Sequence, residues 1–143
     1  MVASLFVIID YLNKEYGYIE KFICSFGLMN NLDKKVVRVV GGYSEGSGFL
    51  VSKNEVITNF HVIADEPSPK IIFLDGHFTT PISIVGDSDA DLAMLKINEE
   101  HPELILEFLD PFILYDNEKL IAAGYPFGTE ITGRATVVEG KYL

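Results

Sequence analysis

One histidine and one aspartate in this chain have side chains and surroundings that could perform proton-transfer chemistry. His61 lies within residues 56–65, and Asp91 lies within residues 86–97. An imidazole can take the proton of a nucleophilic hydroxyl, and a carboxylate can hold that imidazole in the tautomer that the reaction needs. The spacing of the two residues is weak support on its own, because almost any domain contains a histidine and an aspartate.

Three aspartates are candidates for the carboxylate role. Asp87, Asp89 and Asp91 occupy alternate positions in the sequence. In an extended strand all three side chains would point to the same side, because strand side chains alternate with period 2. The pattern of residues therefore leaves the choice among them open.

The spacing of apolar residues changes once along the chain, from a helical period to a strand period, and this indicates which elements position these groups. Up to residue 30, apolar residues recur at steps of four and three, which is typical of an amphipathic helix. They are Leu5, Ile9, Leu12, Tyr16, Ile19, Ile23 and Phe26. From Lys34 the pattern becomes that of short strands separated by turns. The strands are predicted at residues 36–40, 46–51, 55–58, 70–74, 78–85, 91–97, 119–123 and 134–139, with Asp75 and Gly76 as a hairpin turn.

The length and charge of the chain exclude some classes of function. A chain of 143 residues fits one compact domain. Its 21 acidic residues against 11 basic ones argue against nucleic-acid binding, which would concentrate Lys and Arg on one surface. The apolar N-terminus contains no Lys or Arg before Lys14 and is interrupted by Asp10. Neither a secretory signal nor a membrane span is therefore expected there.

The cysteine and the other histidines suggest no further chemistry. Cys24 is the single cysteine, so an intrachain disulfide is excluded, and it is expected to be a buried residue of the helix. His77 follows the predicted hairpin turn, and His101 lies in an acidic loop. Neither is predicted to have a histidine and a carboxylate nearby at metal-ligand spacing. The sequence predicts no cofactor and no metal site.

Four short motifs occur in order between residues 36 and 139. They are Gly-Ser-Gly-Phe at 46–49, Thr-Asn-Phe-His-Val at 58–62, Asp-Leu-Ala-Met-Leu-Lys at 91–96 and Gly-Tyr-Pro-Phe-Gly at 124–128. Together they resemble the first half of a chymotrypsin-fold serine peptidase, most closely the HtrA/Deg branch. The resemblance implies a mainly β fold. It comprises an N-terminal amphipathic helical segment at 1–33, a first peptidase β-barrel at 34–118 and the start of a truncated second barrel at 119–143.

The resemblance also implies roles for individual residues. HtrA/Deg peptidases place their catalytic aspartate immediately before Leu-Ala, which selects Asp91 over Asp87 and Asp89. His61 then matches the general base. Ser47 is rejected as the nucleophile, because the family's serine follows both the histidine and the aspartate.

The implied function is that of a trypsin-like serine endopeptidase acting on proteins or peptides, of which this chain is the N-terminal part. No Gly-x-Ser-Gly or Gly-x-Cys-Gly motif occurs in its 143 residues, so the chain alone is expected to be inactive. The alternative is a non-catalytic, peptidase-like module for binding or assembly. A narrower variant is a cysteine peptidase on the same fold. The N-terminal helix is expected either to pack on the barrel or to mediate a homo-oligomer. The sequence does not indicate the cellular compartment of the protein.

Overall fold

The computed structural model describes residues 31–108, 110–126 and 134–143. The helix predicted for residues 1–33 lies almost wholly outside these ranges, and Cys24 lies outside them too. The described chain begins in helical conformation at 31–35 and enters its first strand at Val36. The change of conformation thus comes two residues after Lys34, where the hydrophobic period was predicted to change.

The described residues contain nine strands and little helix. The strands are β1 (Val36–Val40), β2 (Glu45–Ser52), β3 (Glu55–Thr58), β4 (Lys70–Ile72), β5 (Phe78–Thr79), β6 (Ser83–Asp87), β7 (Leu92–Lys96), β8 (Lys119–Gly124) and β9 (Thr136–Lys141). A four-residue helix, α1 (Phe60–Ile63), follows β3, and single 3₁₀ turns occupy Pro102–Leu104 and Pro111–Ile113. The prediction of a mainly β fold is confirmed.

Seven strands form one antiparallel sheet in the order β5-β4-β1-β2-β3-β7-β6. Its two edge strands, β5 and β6, follow one another in sequence, joined by residues 80–82 alone. Such a short connection reaches about 14 Å, whereas the edges of a flat seven-stranded sheet lie about 29 Å apart. The sheet must therefore curl until its edges approach, which makes it a barrel-like layer.

The strand predicted over residues 78–85 is wrong, because the chain forms two strands there. β5 pairs with β4, and β6 pairs with β7 at the opposite edge of the sheet. Pro81 lies at the break. It has no N–H to donate to a strand neighbour, and its φ is fixed, so it favours the end of a strand.

The core packs on one face of this sheet. Alternate residues of β3 and β7 are buried, and the register pairs Val56 with Leu95 and Thr58 with Ala93. The buried apolar cluster comprises Val37, Val39, Leu50, Val56, Val62, Ile63, Ile71, Phe73, Ala93, Leu95 and Ile97. Because β3 ends where β7 begins, the residues just after Thr58 and just before Leu92 meet at one end of this rigid pair.

The last two strands, β8 and β9, form a separate two-stranded sheet. They correspond to the strands predicted at 119–123 and 134–139, with the second starting and ending two residues later. The turn between them includes residues 127–133, which are not described. Among the described residues, none of the helices has the length and apolar character needed to cross a bilayer.

Candidate active site

The sheet register brings His61 and Asp91 together. His61 is the second residue of α1, three residues beyond the end of β3, and Asp91 immediately precedes β7. Since Thr58 pairs with Ala93, the chain leaves β3 where it enters β7. The two predicted site residues thus face each other although thirty positions separate them.

The Asp91 carboxylate makes two hydrogen bonds with His61. Oδ2 lies 2.7 Å from the imidazole Nδ1, and Oδ1 accepts the His61 backbone N–H at 2.9 Å. An ionised carboxylate can only accept, so Nδ1 carries a proton, and in the neutral ring Nε2 then carries the lone pair. No described residue hydrogen-bonds Nε2, and the imidazole side chain is 66% exposed. The ring is therefore held through Nδ1, and Nε2 is left open to solvent.

Asn59 and the start of α1 hold Asp91 in an unusual backbone conformation. Asp91 has a φ of 52°, which is uncommon for a residue with a side chain, although aspartate tolerates it better than most. The Asn59 side-chain amide donates to the Asp91 carbonyl oxygen at 3.0 Å. The first N–H groups of a helix lack partners within it, and Asp91 supplies one for His61. The Asn59 contact thus helps to position Asp91, and the pattern of residues did not predict it.

These hydrogen bonds shift the pKa of the Asp91 carboxyl. The His61 backbone N–H contributes most and the imidazole hydrogen bond next, and together they hold the pKa of Asp91 below its usual 3.8. The carboxylate therefore stays ionised at neutral and mildly acidic pH. An ionised partner favours the imidazole tautomer with the proton on Nδ1.

The other two aspartates form a turn. The Asp87 carboxylate accepts the backbone N–H groups of Asp89 and Ala90 at 2.9 and 3.0 Å. This is the self-capping of a turn that short acidic side chains favour. The three aspartates therefore do not lie in one extended strand, because β6 ends at Asp87 and β7 starts at Leu92.

Two glycines let α1 lie close to the sheet. A Cβ on Gly86 would lie 2.6 Å from the Phe60 ring, and a Cβ on Gly46 would lie 2.6 Å from Val62 Cγ2. Both distances are too short for real side-chain contacts. Phe60 and Val62 flank His61 in sequence, so these close contacts help to fix the imidazole.

Ser47 is engaged in holding the fold together. Its carbonyl accepts the Thr58 hydroxyl at 2.8 Å, and its Oγ accepts the Tyr125 backbone N–H at 2.7 Å. The side chain thus ties β2 to the segment that follows β8. This agrees with the rejection of Ser47 as a nucleophile.

A second group of titratable side chains was missed by the sequence analysis. His77 and His101 were expected to have no partners at metal-ligand spacing, but each Nε2 lies 3.0 Å from Oε2 of Glu99. Hydrogen bonds from His101, and after it from His77, keep the pKa of Glu99 below its usual 4.5. Partial burial alone would lower the pKa of His77, but its bonds to Asp75 and Glu99 outweigh burial and raise it above 6.5. The one signal in the sequence was the Glu99-x-His101 pair.

Comparison with known proteins places this geometry in a family context. The family described as trypsin-like peptidase domain matches residues 46–143. The serine protease Do-like HtrA of Lactococcus lactis is 40% identical over 98 residues, which cover 65% of this chain and 24% of that protein. A probable periplasmic serine endoprotease, DegP-like, of Rickettsia prowazekii is 32% identical over 81% of this chain and 23% of its own length. The chain thus spans about a quarter of these relatives.

The solved structures include a close match in fold. The crystal structure of the serine endoprotease from Yersinia pestis superposes with a TM-score of 0.62 at 27% sequence identity. The match covers 76% of this chain and 40% of that chain. The fold predicted from the ordered motifs, a chymotrypsin-like barrel of HtrA type, is confirmed.

Proposed function

The chain belongs to the trypsin-like peptidase domain family and is of HtrA type, and from this premise we propose that it is the N-terminal part of a serine endopeptidase. His61 is its general base, and Asp91 is the carboxylate that orients the base. The observation that supports this assignment is the 2.7 Å contact between Nδ1 and the Asp91 carboxylate, which leaves Nε2 open. Peptide bonds in proteins are the substrate class.

The proposed chemistry follows from the tautomer of His61. Nε2 takes the proton of an incoming serine hydroxyl as that oxygen attacks the peptide carbonyl. The ring is then an imidazolium, and the adjacent Asp91 carboxylate stabilises its charge. The same nitrogen returns the proton to the departing amine. The serine and the oxyanion-stabilising N–H groups come from the second barrel, as they do in the family that the motifs resemble.

The division into domains is part of this proposal. Residues 34–118 form the first peptidase barrel, which presents His61 and Asp91, and residues 119–143 begin the second barrel. The hydrogen bond from Tyr125 to Ser47 supports this arrangement, because it anchors the chain leaving β8 to the first barrel.

A fusion tests the catalytic role. It continues this chain with the second barrel of the Lactococcus lactis HtrA relative, and its cleavage of an unfolded protein is measured with and without His61→Ala. We expect the parent fusion to react with a fluorophosphonate probe and the variant to lose several orders of magnitude in kcat. A folded fusion that neither reacts nor cleaves would favour the non-catalytic, peptidase-like module instead.

The chain by itself provides the matching negative test. We expect the purified 143-residue polypeptide to stay unlabelled by the same fluorophosphonate, because it contains no Gly-x-Ser-Gly motif and its Ser47 Oγ is already engaged by the Tyr125 backbone N–H. Labelling at Ser47, located by peptide mapping, would contradict the proposed order of catalytic residues.

Self-association through the N-terminal segment is a separate proposal. The apolar stripe from Leu5 to Phe26 would be a liability if it stayed in water, and we propose that it packs against another copy of the chain instead of on the barrel. Light-scattering mass for the chain with and without residues 1–30, at equal concentration, tests this. A monomer mass for both forms contradicts it and favours packing within one chain.

A further inference from the structure

A cluster of histidines and carboxylates lies apart from the His61–Asp91 pair. It is formed by His77, in the turn before β5, and by Glu99 and His101, which follow β7. One potential ligand atom from each side chain lies within 4.8 Å of the other two. The Glu99 carboxylate lies between the two rings, 3.0 Å from each Nε2. Three groups that commonly bind transition metals therefore converge on one point.

Each imidazole also contacts a carboxylate through its other nitrogen. The Asp75 carboxylate lies 2.5 Å from His77 Nδ1, and the Glu103 carboxylate lies 3.4 Å from His101 Nδ1. A carboxylate on the outer nitrogen of a metal-binding histidine fixes the tautomer in which the inner nitrogen offers its lone pair. Both rings thus have the outer partner that histidine ligands usually have. Three carboxylates around two imidazoles also leave an excess of negative charge that favours a cation.

The rings are positioned before any ion arrives. Phe73 is buried, and its ring stacks on His77 at 4.5 Å between centroids and lies 4.4 Å from the His101 ring. The His101 backbone N–H donates to the Lys53 carbonyl at 2.7 Å, which fixes the segment that carries the second ring to the β2–β3 turn. Both rings therefore rest on one rigid aromatic surface. A preorganised set of ligands needs little rearrangement to bind.

We propose that His77, Glu99 and His101 form a binding site for a divalent transition-metal ion, with Zn²⁺ as its best fit. Two imidazole nitrogens and one carboxylate are a ligand set that zinc commonly adopts, with water as the fourth ligand. Zn–N bonds of about 2.0–2.1 Å place neighbouring ligand atoms about 3.3 Å apart in a tetrahedron. The two N–O separations of 3.0 Å need only small outward shifts, and all three ligand atoms already lie within 4.8 Å of one another. Glu99 and His77 are each 41% exposed, so an ion can enter from solvent.

The ion would link two parts of the curled sheet. His77 belongs to the β4–β5 hairpin, whereas Glu99 and His101 belong to the segment after β7. Binding to the folded state and not to the unfolded chain would stabilise the fold. The site is therefore a structural clip and is independent of the proposed peptidase chemistry.

Zinc titration of the full chain tests the proposal. Isothermal calorimetry is expected to show one Zn²⁺ per chain, and thermal unfolding is expected to shift to higher temperature with Zn²⁺ and back with a chelator. Glu99→Gln keeps the size of the side chain and removes its charge, and it should weaken binding by about tenfold or more. His77→Ala should abolish binding, and circular dichroism of each variant checks that it is folded.

Two variants serve as controls. His61→Ala removes a histidine that also contacts a carboxylate but lies outside the cluster, and Cys24→Ser removes the single thiol. Both should bind Zn²⁺ as tightly as the parent chain. The proposal is overturned if the parent shows no saturable binding, if folded Glu99→Gln binds as tightly as the parent, or if either control loses the ion.

Discussion

The His61 and His77 sites both place a carboxylate at the imidazole Nδ1, and they differ in what faces Nε2. In each, a carboxylate lies within hydrogen-bond reach of an imidazole Nδ1: Asp91 at His61 and Asp75 at His77. At His61 the ring is largely exposed, and no described residue hydrogen-bonds Nε2. At His77 the same nitrogen lies 3.0 Å from the Glu99 carboxylate.

This difference determines what each imidazole can do. A ring whose Nε2 is open can accept a proton from an incoming hydroxyl. A ring whose Nε2 already faces a carboxylate needs a proton or a metal ion between the two acceptors. An Nδ1 carboxylate is thus shared by the proposed catalytic base and by the proposed metal ligand, and the group opposite Nε2 separates the two.

The largest effect is expected from the atom that orients His61. In the fusion with a second barrel, Asp91→Asn keeps the shape of the side chain but no longer favours a proton on Nδ1. We expect kcat to fall by about 10⁴-fold, the loss typical of such a replacement in a serine triad. Steady-state proteolysis measures it.

Asp89→Asn is the matched control for that variant. Asp89 lies two residues away and contributes its backbone N–H to the 87–90 turn. Its replacement should change kcat by no more than about twofold, the size of effect expected of a surface change. Equal losses for Asp89→Asn and Asp91→Asn would show that the turn, and not the Asp91 carboxylate, carries the effect.

The two sites also differ in how far the sequence predicts them. His61 and Asp91 lie inside ordered motifs, so resemblance to a family identifies them, and the sheet register then explains their contact. His77 and Glu99 are 22 positions apart in unremarkable segments, and only the curl of the sheet brings them together. Local pattern also failed at Pro81, where one predicted strand becomes two strands at opposite edges. Side-chain convergence across a sheet depends on topology, which the pattern of a single strand does not encode.

The next largest effect is a loss of folding stability when Phe73, which packs against the His77 site, is truncated. Phe73 is buried and contacts both His77 and His101, so Phe73→Ala should lower the free energy of unfolding by about 3–5 kcal/mol. Urea unfolding measures this loss. Phe73→Leu keeps most of the apolar volume but has no ring to stack, so its loss should be smaller. If the two variants are equally unstable, stacking and not cavity formation dominates.

A smaller loss of folding stability is expected for a substitution at Gly41, which packs against the helix that carries His61. A Cβ on Gly41 would lie 2.0 Å from the Val62 carbonyl oxygen, so Gly41→Ala must displace α1 or the turn after β1. We expect it to destabilise the fold by about 1–3 kcal/mol. In Gly140→Ala the new Cβ meets no atom within 4 Å, and this control should be nearly neutral. Similar urea midpoints for the two variants would show that α1 tolerates the displacement.

The smallest effect is a shift in acid titration at Asp91. Its folded-state pKa lies below the usual 3.8, because the His61 backbone N–H and then the imidazole stabilise the ionised form. The ionised Asp91 therefore contributes to the stability of the fold. This contribution is fully present above about pH 3.8, the unfolded value, and is lost as pH falls through the lower folded pKa. Carboxyl NMR shifts of Asp91 measure the folded pKa directly. His61→Ala removes the ring but keeps the backbone N–H, so the pKa of Asp91 should rise only part of the way towards 3.8. If the pKa of Asp91 is unchanged in His61→Ala, the imidazole does not stabilise the ionised carboxylate. The two side chains would then lack the coupling that the proposed role of His61 as an oriented base requires.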